Sequence, residues 1–165
     1  REAENGGPSA DSGAEKAALV EITNKSIRFF CQLLLRSPEV KRKYADHPTP
    51  EFFRNLPETE MLSMLWRGDF DPASPANVAA FSATLSPPEQ SCVADLLDSP
   101  LPPEPEKLAA TCLQKLHRQS LEKRETEIKA LLGAQGLGAE QIQALQKEKI
   151  DLTKQLHDIP RHFSD

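Results

Sequence analysis

At 165 residues the chain has room for one compact domain plus an appendage, not two full domains. Its 38% hydrophobic and 27% charged residues supply a modest core and exclude wholesale disorder, and no run approaches the roughly eighteen consecutive apolar residues of a membrane span. A net charge of −5 argues against nonspecific duplex binding by the chain as a whole, because phosphate contacts need clustered Lys and Arg.

Residues 1–15 are polar, Gly- and Ser-bearing and aperiodic, which predicts a disordered linker. Arg1 onward shows neither an initiator Met nor a signal-peptide apolar region, the expectation for a piece of a longer protein. A first helix is predicted from Lys16 to Arg36, with Leu19, Ile22, Ile27, Phe30, Leu33 and Leu34 at helical spacing. From there the punctuation repeats. Ser37-Pro38, Thr49-Pro50, Ser74-Pro75 and Ser86-Pro87 each place a hydroxyl cap before proline at the first helical position, and Ser86 with Glu89 fits a capping box.

Short helices therefore follow over 38–46, 50–56, 58–67, 75–84 and 87–98, each with its own apolar group. Trp66, Met61 and Met64 read as core filling rather than as an exposed platform. No run alternates with period two, so the fold class is all-α with no sheet. The predicted organisation is a linker over 1–15, a compact bundle of short helices over 16–105, then a long helix and C-terminal antiparallel helical hairpin over 106–165. Ser99-Pro100-Leu101-Pro102-Pro103-Glu104-Pro105 is a stiff extended link between the last two.

Glu106 to Ile159 contains no proline, in a chain with 14 of them, and its glycines Gly133, Gly136 and Gly138 sit together in the middle. That pattern writes two helical arms and a turn, with glycine ending the first arm at positive φ. The first arm, 106–132, is about 40 Å long and the second, 139–159, about 31 Å. The unmatched base of the first must pack on what precedes it. Leu145, Leu152 and Ile159 recur every seven residues, as do Ile142 and Leu156 with Lys149 between them, while Ile150 falls on another face. Charge on the arms nearly balances and reads as a solvated surface laced with i,i+4 pairs.

Residue sets suited to catalysis are absent: no Gly-rich phosphate loop and no nucleophile elbow occurs. Asp69-Phe70-Asp71 reads as a turn, lacking the further oxygen ligands of a calcium site. Cys31, Cys92 and Cys112, an odd number without C-x-x-C spacing, read as buried reduced thiols of a cytoplasmic protein. His47, His117, His157 and His162 are scattered. Neither a metal nor another cofactor is expected.

The terminal half carries Cys112-Leu113-Gln114-Lys115-Leu116, Leu121-Glu122-Lys123-Arg124-Glu125, Ile128, Leu131-Leu132, Leu145-Gln146-Lys147-Glu148-Lys149-Ile150-Asp151-Leu152 and Lys154-Gln155-Leu156-His157. Upstream stand Arg28-Phe29-Phe30-Cys31-Gln32-Leu33-Leu34-Leu35 and Ser37-Pro38-Glu39. In this order, after a polar linker, these elements resemble the C-terminal helicase-binding domain of the bacterial replicative primase, DnaG, over about 16–159. The resemblance implies a non-catalytic domain that docks onto the N-terminal domains of the hexameric replicative helicase, DnaB. The terminal hairpin would make much of the contact and the bundle would modulate the helicase. By position it points to Ile142, Leu145, Lys149, Ile150, Leu152, Leu156 and His157, with Lys154 and Arg161 as rim charges. It implies no membrane association and no strong direct nucleic-acid binding. The alternatives are the N-terminal domain of the helicase itself, which is similarly built, and a self-associating helical scaffold that forms a stable dimer; apart from these, a weak homodimer is an expected partner state. A third, a nucleic-acid binder, would rest on Lys115, Arg118, Lys123 and Lys129 along one arm.

Overall fold

Residues 20–159 are described by the structure, a computed structural model. The expectations for 1–15, for the helical start at Lys16–Leu19 and for 160–165, Arg161 included, lie outside the described residues. Within them every regular element is a helix: α1 (Lys25–Arg36), α2 (Pro38–Ala45), a 3-10 turn (Glu51–Asn55), α3 (Glu60–Arg67), α4 (Pro75–Ala83), α5 (Pro87–Asp98), α6 (Pro105–Leu132) and α7 (Ala139–Asp158).

The first helix starts later than its apolar periodicity predicts. The Asn24 side chain accepts from the N–H groups of Ser26 and Ile27, and residues 20–24 are not helical. A local cap outweighs the periodic pattern because it satisfies donors that a helix start leaves open. Ile22 is still buried, from a non-helical segment. Glu58 holds that segment in place: at φ +67 its carboxylate accepts from Thr23 N and Oγ1 and from Asn24 N, at 2.8, 2.7 and 3.0 Å. Those hydrogen bonds, the one from the Thr23 side chain foremost, hold its pKa below the usual glutamate value.

Helix α1 carries a broad apolar face opposite Lys25, Arg28, Gln32 and Arg36, and Ile27, Phe30, Cys31, Leu33, Leu34 and Leu35 are at most 1% exposed. Such a face needs neighbours to cover it, and α2, α3, α5 and α6 all pack on this helix. At its end, buried Ser37 serves two helices. Its N–H donates to Leu33 O at 2.8 Å, and its Oγ accepts from Val40 N at 3.2 Å. Ser74 and Ser86 cap α4 and α5 as their Ser-Pro pairs predict, and the Ser86–Glu89 box is closed. Thr49 is the exception. The turn after it has no side-chain cap, and Thr49 Oγ1 is buried without a partner.

Two side chains of α1 finish α5. Gln32 Nε2 donates to Ser99 O and Pro100 O, at 3.0 and 2.6 Å, and Arg36 donates to Leu97 O and Ser99 O. Carbonyls at a helix end are thereby satisfied and the proline-rich link is anchored.

Trp66 lies in the core, 4% exposed, stacked on Phe30 at 5.6 Å, with Nε1 donating to His47 O at 2.9 Å. The end of α3 is closed by an unexpected residue. Lys41, 6% exposed, donates from Nζ to Leu65 O (2.9 Å) and Trp66 O (3.1 Å), with the Phe70 ring 4.7 Å away. Cation and helix C-terminus suit one another. Burial lowers the Lys41 pKa, and Asp69 opposes that shift. Gly68 leaves this helix in extended backbone, at a place where a Cβ would lie 2.6 Å from a Phe81 ring carbon. Asp71 then forms a turn, accepting from Ala73 N at 3.0 Å, as its sequence predicts.

The base of α6 completes the first core through Ala109, Cys112 and Leu116. Half-buried His117 stacks on Phe52 at 4.7 Å. Burial lowers its pKa from 6.5.

Lys41→Met should cost about 1–3 kcal/mol in denaturant unfolding, because it leaves the carbonyls of Leu65 and Trp66 buried without donors. Folding favours neutral His117, so the folded chain binds fewer protons than the unfolded one as pH falls below 6.5. Its contribution is full above that value and declines on acidification; in melts across that range His117→Gln should flatten the slope.

Candidate functional site

The turn joining the last two helices differs from expectation in one detail. Gly133 caps α6 at φ −83, in the right-handed region, and the positive φ belongs to Gly136 at +91. The last turn of α6 is closed instead by Gly133 N donating to Lys129 O at 3.1 Å. Gly138 N then donates to Gln141 Oε1 at 2.9 Å, opening α7.

Helix α7 runs back along α6. Their seam consists of buried Leu121, Ile128 and Leu152, with Leu132, Leu145, Leu156 and Ile159 packed against them. Polar contacts brace it at two levels. Arg124 grips Glu148 with two hydrogen bonds, Nε to Oε2 at 2.7 Å and Nη2 to Oε1 at 3.0 Å. Near the end of α7, Arg118 donates to Leu156 O and Ile159 O, which caps that helix from its neighbour. Arg124 holds the Glu148 carboxyl below the usual glutamate range. Both side chains are more than a third exposed or nearly so, and such a pair contributes only about 0–1 kcal/mol.

The candidate residues separate into three groups. Leu145, Leu152 and Leu156 pack in the seam with α6, Leu152 buried and the other two partly buried. Ile142 and Lys149 are half-buried at its border. Ile150, Lys154 and His157 point away and are exposed, Ile150 by 58%. Arg161 lies outside the described residues. The reason is angular: at 100° per residue, 145, 152 and 156 share one side of α7, while 150, 154 and 157 fall on the opposite side.

Sequence reasoning passed over Leu131, 41% exposed near the end of α6, and two exposed side chains elsewhere, Phe29 at 40% and Leu97 at 37%. Leu131 has a readable signal. It stands beside Leu132, and adjacent helical positions cannot both face one seam. The basic line on α6 is largely occupied: Arg118 caps α7, and Lys123 pairs with Glu127 at 2.8 Å.

Cys31, Cys92 and Cys112 are buried free thiols. Burial pushes Cys112 up to about 11 and raises Cys31 and Cys92 as well. Among the described residues, no group of three or more His, Cys, Asp or Glu is placed to hold a metal ion, and no helix is long and apolar enough to cross a membrane. No family model, curated protein or solved structure matches the chain.

Leu152→Ala should cost about 2–5 kcal/mol and raise amide exchange along α7, since it opens a cavity in a small seam. Ile150→Ala, removing an exposed side chain, should change stability by no more than about 0.5 kcal/mol in the same assay.

Proposed function

We propose that this chain is a non-catalytic docking module that joins a bacterial primase to the N-terminal domains of its hexameric replicative helicase. In this reading the helices through α5, closed by the base of α6, form a compact bundle, and the rest of α6 with α7 forms a hairpin carried on it. The observation that supports the reading is Ile150. It is the most exposed of the large apolar side chains described, and it stands on a helix whose hydrophobic packing, among the described residues, is against α6. A helical face with an apolar anchor and a charged surround suits helix-in-groove recognition. Ile150, His157 and Lys154 are the proposed contacts, with Ile142 and Lys149 at the edge. The module works in the cytoplasm, without a cofactor.

A second reading, self-association, has one observation in its favour. Lys147, Asp151, Lys154 and Asp158 are all exposed and alternate in sign at i, i+4, i+7 and i+11 along α7. Reversed, the order is its own complement, so two antiparallel copies would match charge to charge.

Gel filtration with a DnaB-type N-terminal domain tests both readings. A complex should form, and Ile150→Glu should weaken it at least about tenfold with the helical circular dichroism unchanged. Undiminished binding by that variant would remove α7 as the contact. A chain that elutes alone at dimer mass and ignores the helicase domain would favour the second reading.

A further inference from the structure

A cleft of about 220 Å³ lies between the 3-10 turn Glu51–Asn55 and α3, lined by Thr49, Glu51, Arg54, Ser63 and Arg67 over the side of Phe53. Its walls are fixed. Phe53 N donates to Pro50 O at 3.2 Å, and Thr59 Oγ1 donates to Phe53 O and Leu56 O, at 3.0 and 3.3 Å. Phe53 itself is buried against Trp66 at 5.7 Å.

Two features of the lining are unusual together. Neither Arg54 nor Arg67 makes an ion pair or hydrogen bond with a described residue, although the chain carries more acid than base. Thr49 Oγ1 is buried with no hydrogen-bond partner, and such an atom in a native fold calls for an explanation. A guanidinium is a planar fork that grips an oxyanion through two parallel bonds. Against the one carboxylate of Glu51, two arginines leave the cleft positive.

We propose that this cleft binds the phosphate group of a small phosphate monoester, with Arg54 and Arg67 clamping the oxyanion. Ser63 lies beside them on α3. The volume of the open cleft fits a phosphate with a small substituent, and Glu51 at the site disfavours a long polyanion. The site is independent of α7, so variants of Ile150 leave it unchanged.

Titration of the isotopically labelled chain with inorganic phosphate and with glycerol phosphate, followed by amide and arginine side-chain NMR at constant ionic strength, tests the assignment. Saturable shifts are expected at Thr49, Arg54, Ser63 and Arg67. Arg54→Gln and Arg67→Gln should each weaken binding at least about tenfold, as loss of a charge-assisted bond predicts, and Glu51→Gln should tighten it severalfold. Both arginines are exposed, so these variants keep the fold. Tighter binding of glycerol phosphate than of inorganic phosphate supports an ester ligand. Shifts that chloride reproduces, affinity unmoved in the arginine variants, or tighter binding of a short DNA strand through the same residues would each overturn the proposal.

Discussion

One helix belongs to two hydrophobic clusters, and the rest of the molecule is arranged around that fact. The base of α6 puts Ala109, Cys112 and Leu116 into the core built on α1, and four residues beyond Leu116 the buried pair Ser120 and Leu121 begins the hand-over to the seam with α7. Twenty-eight residues of continuous helix, about 42 Å, connect the two without a break. A long helix with a charged middle has little stability of its own in water; it is held by packing at each end. The core on α1 fixes where α6 starts, and α6 then fixes where α7 lies.

The polar contacts have a consistent division of labour. One kind finishes helix ends: Lys41 on α3, Gln32 and Arg36 on α5, Arg118 on α7. Each comes from a different helix than the one it closes, so each also sets an angle between two elements. The other kind, Arg124 with Glu148 and Lys123 with Glu127, runs along α6 and its neighbour and is open to screening by salt. Geometry depends on the first kind far more than on the second.

Much of this was legible in the sequence, and the reasons differ by residue. Ser37-Pro38, Ser74-Pro75 and Ser86-Pro87 announce helix starts because cap and proline act locally, within a single turn. The heptad of Leu145 and Leu152 announces a stripe but not its occupant, because a stripe reads the same whether a neighbour in the chain or another protein covers it. Ile150 was separable by angle alone. Asn24 was missed because apolar periodicity runs straight through it, and Lys41 because a lysine in a short helix reads as solvent-facing until its neighbours are known. The glycine turn was located correctly, but the residue that takes positive φ depends on how the two helices meet.

The three thiols have a consequence for the chemistry of the whole molecule. Each cysteine is buried in the first core, and burial raises each thiol's pKa, which favours the protonated, less reactive form. Cys31 is fully enclosed, whereas Cys92 borders a cleft shared with Arg28, Ser91 and Asp95. Modification of Cys31 therefore registers excursions to an open state of the interior.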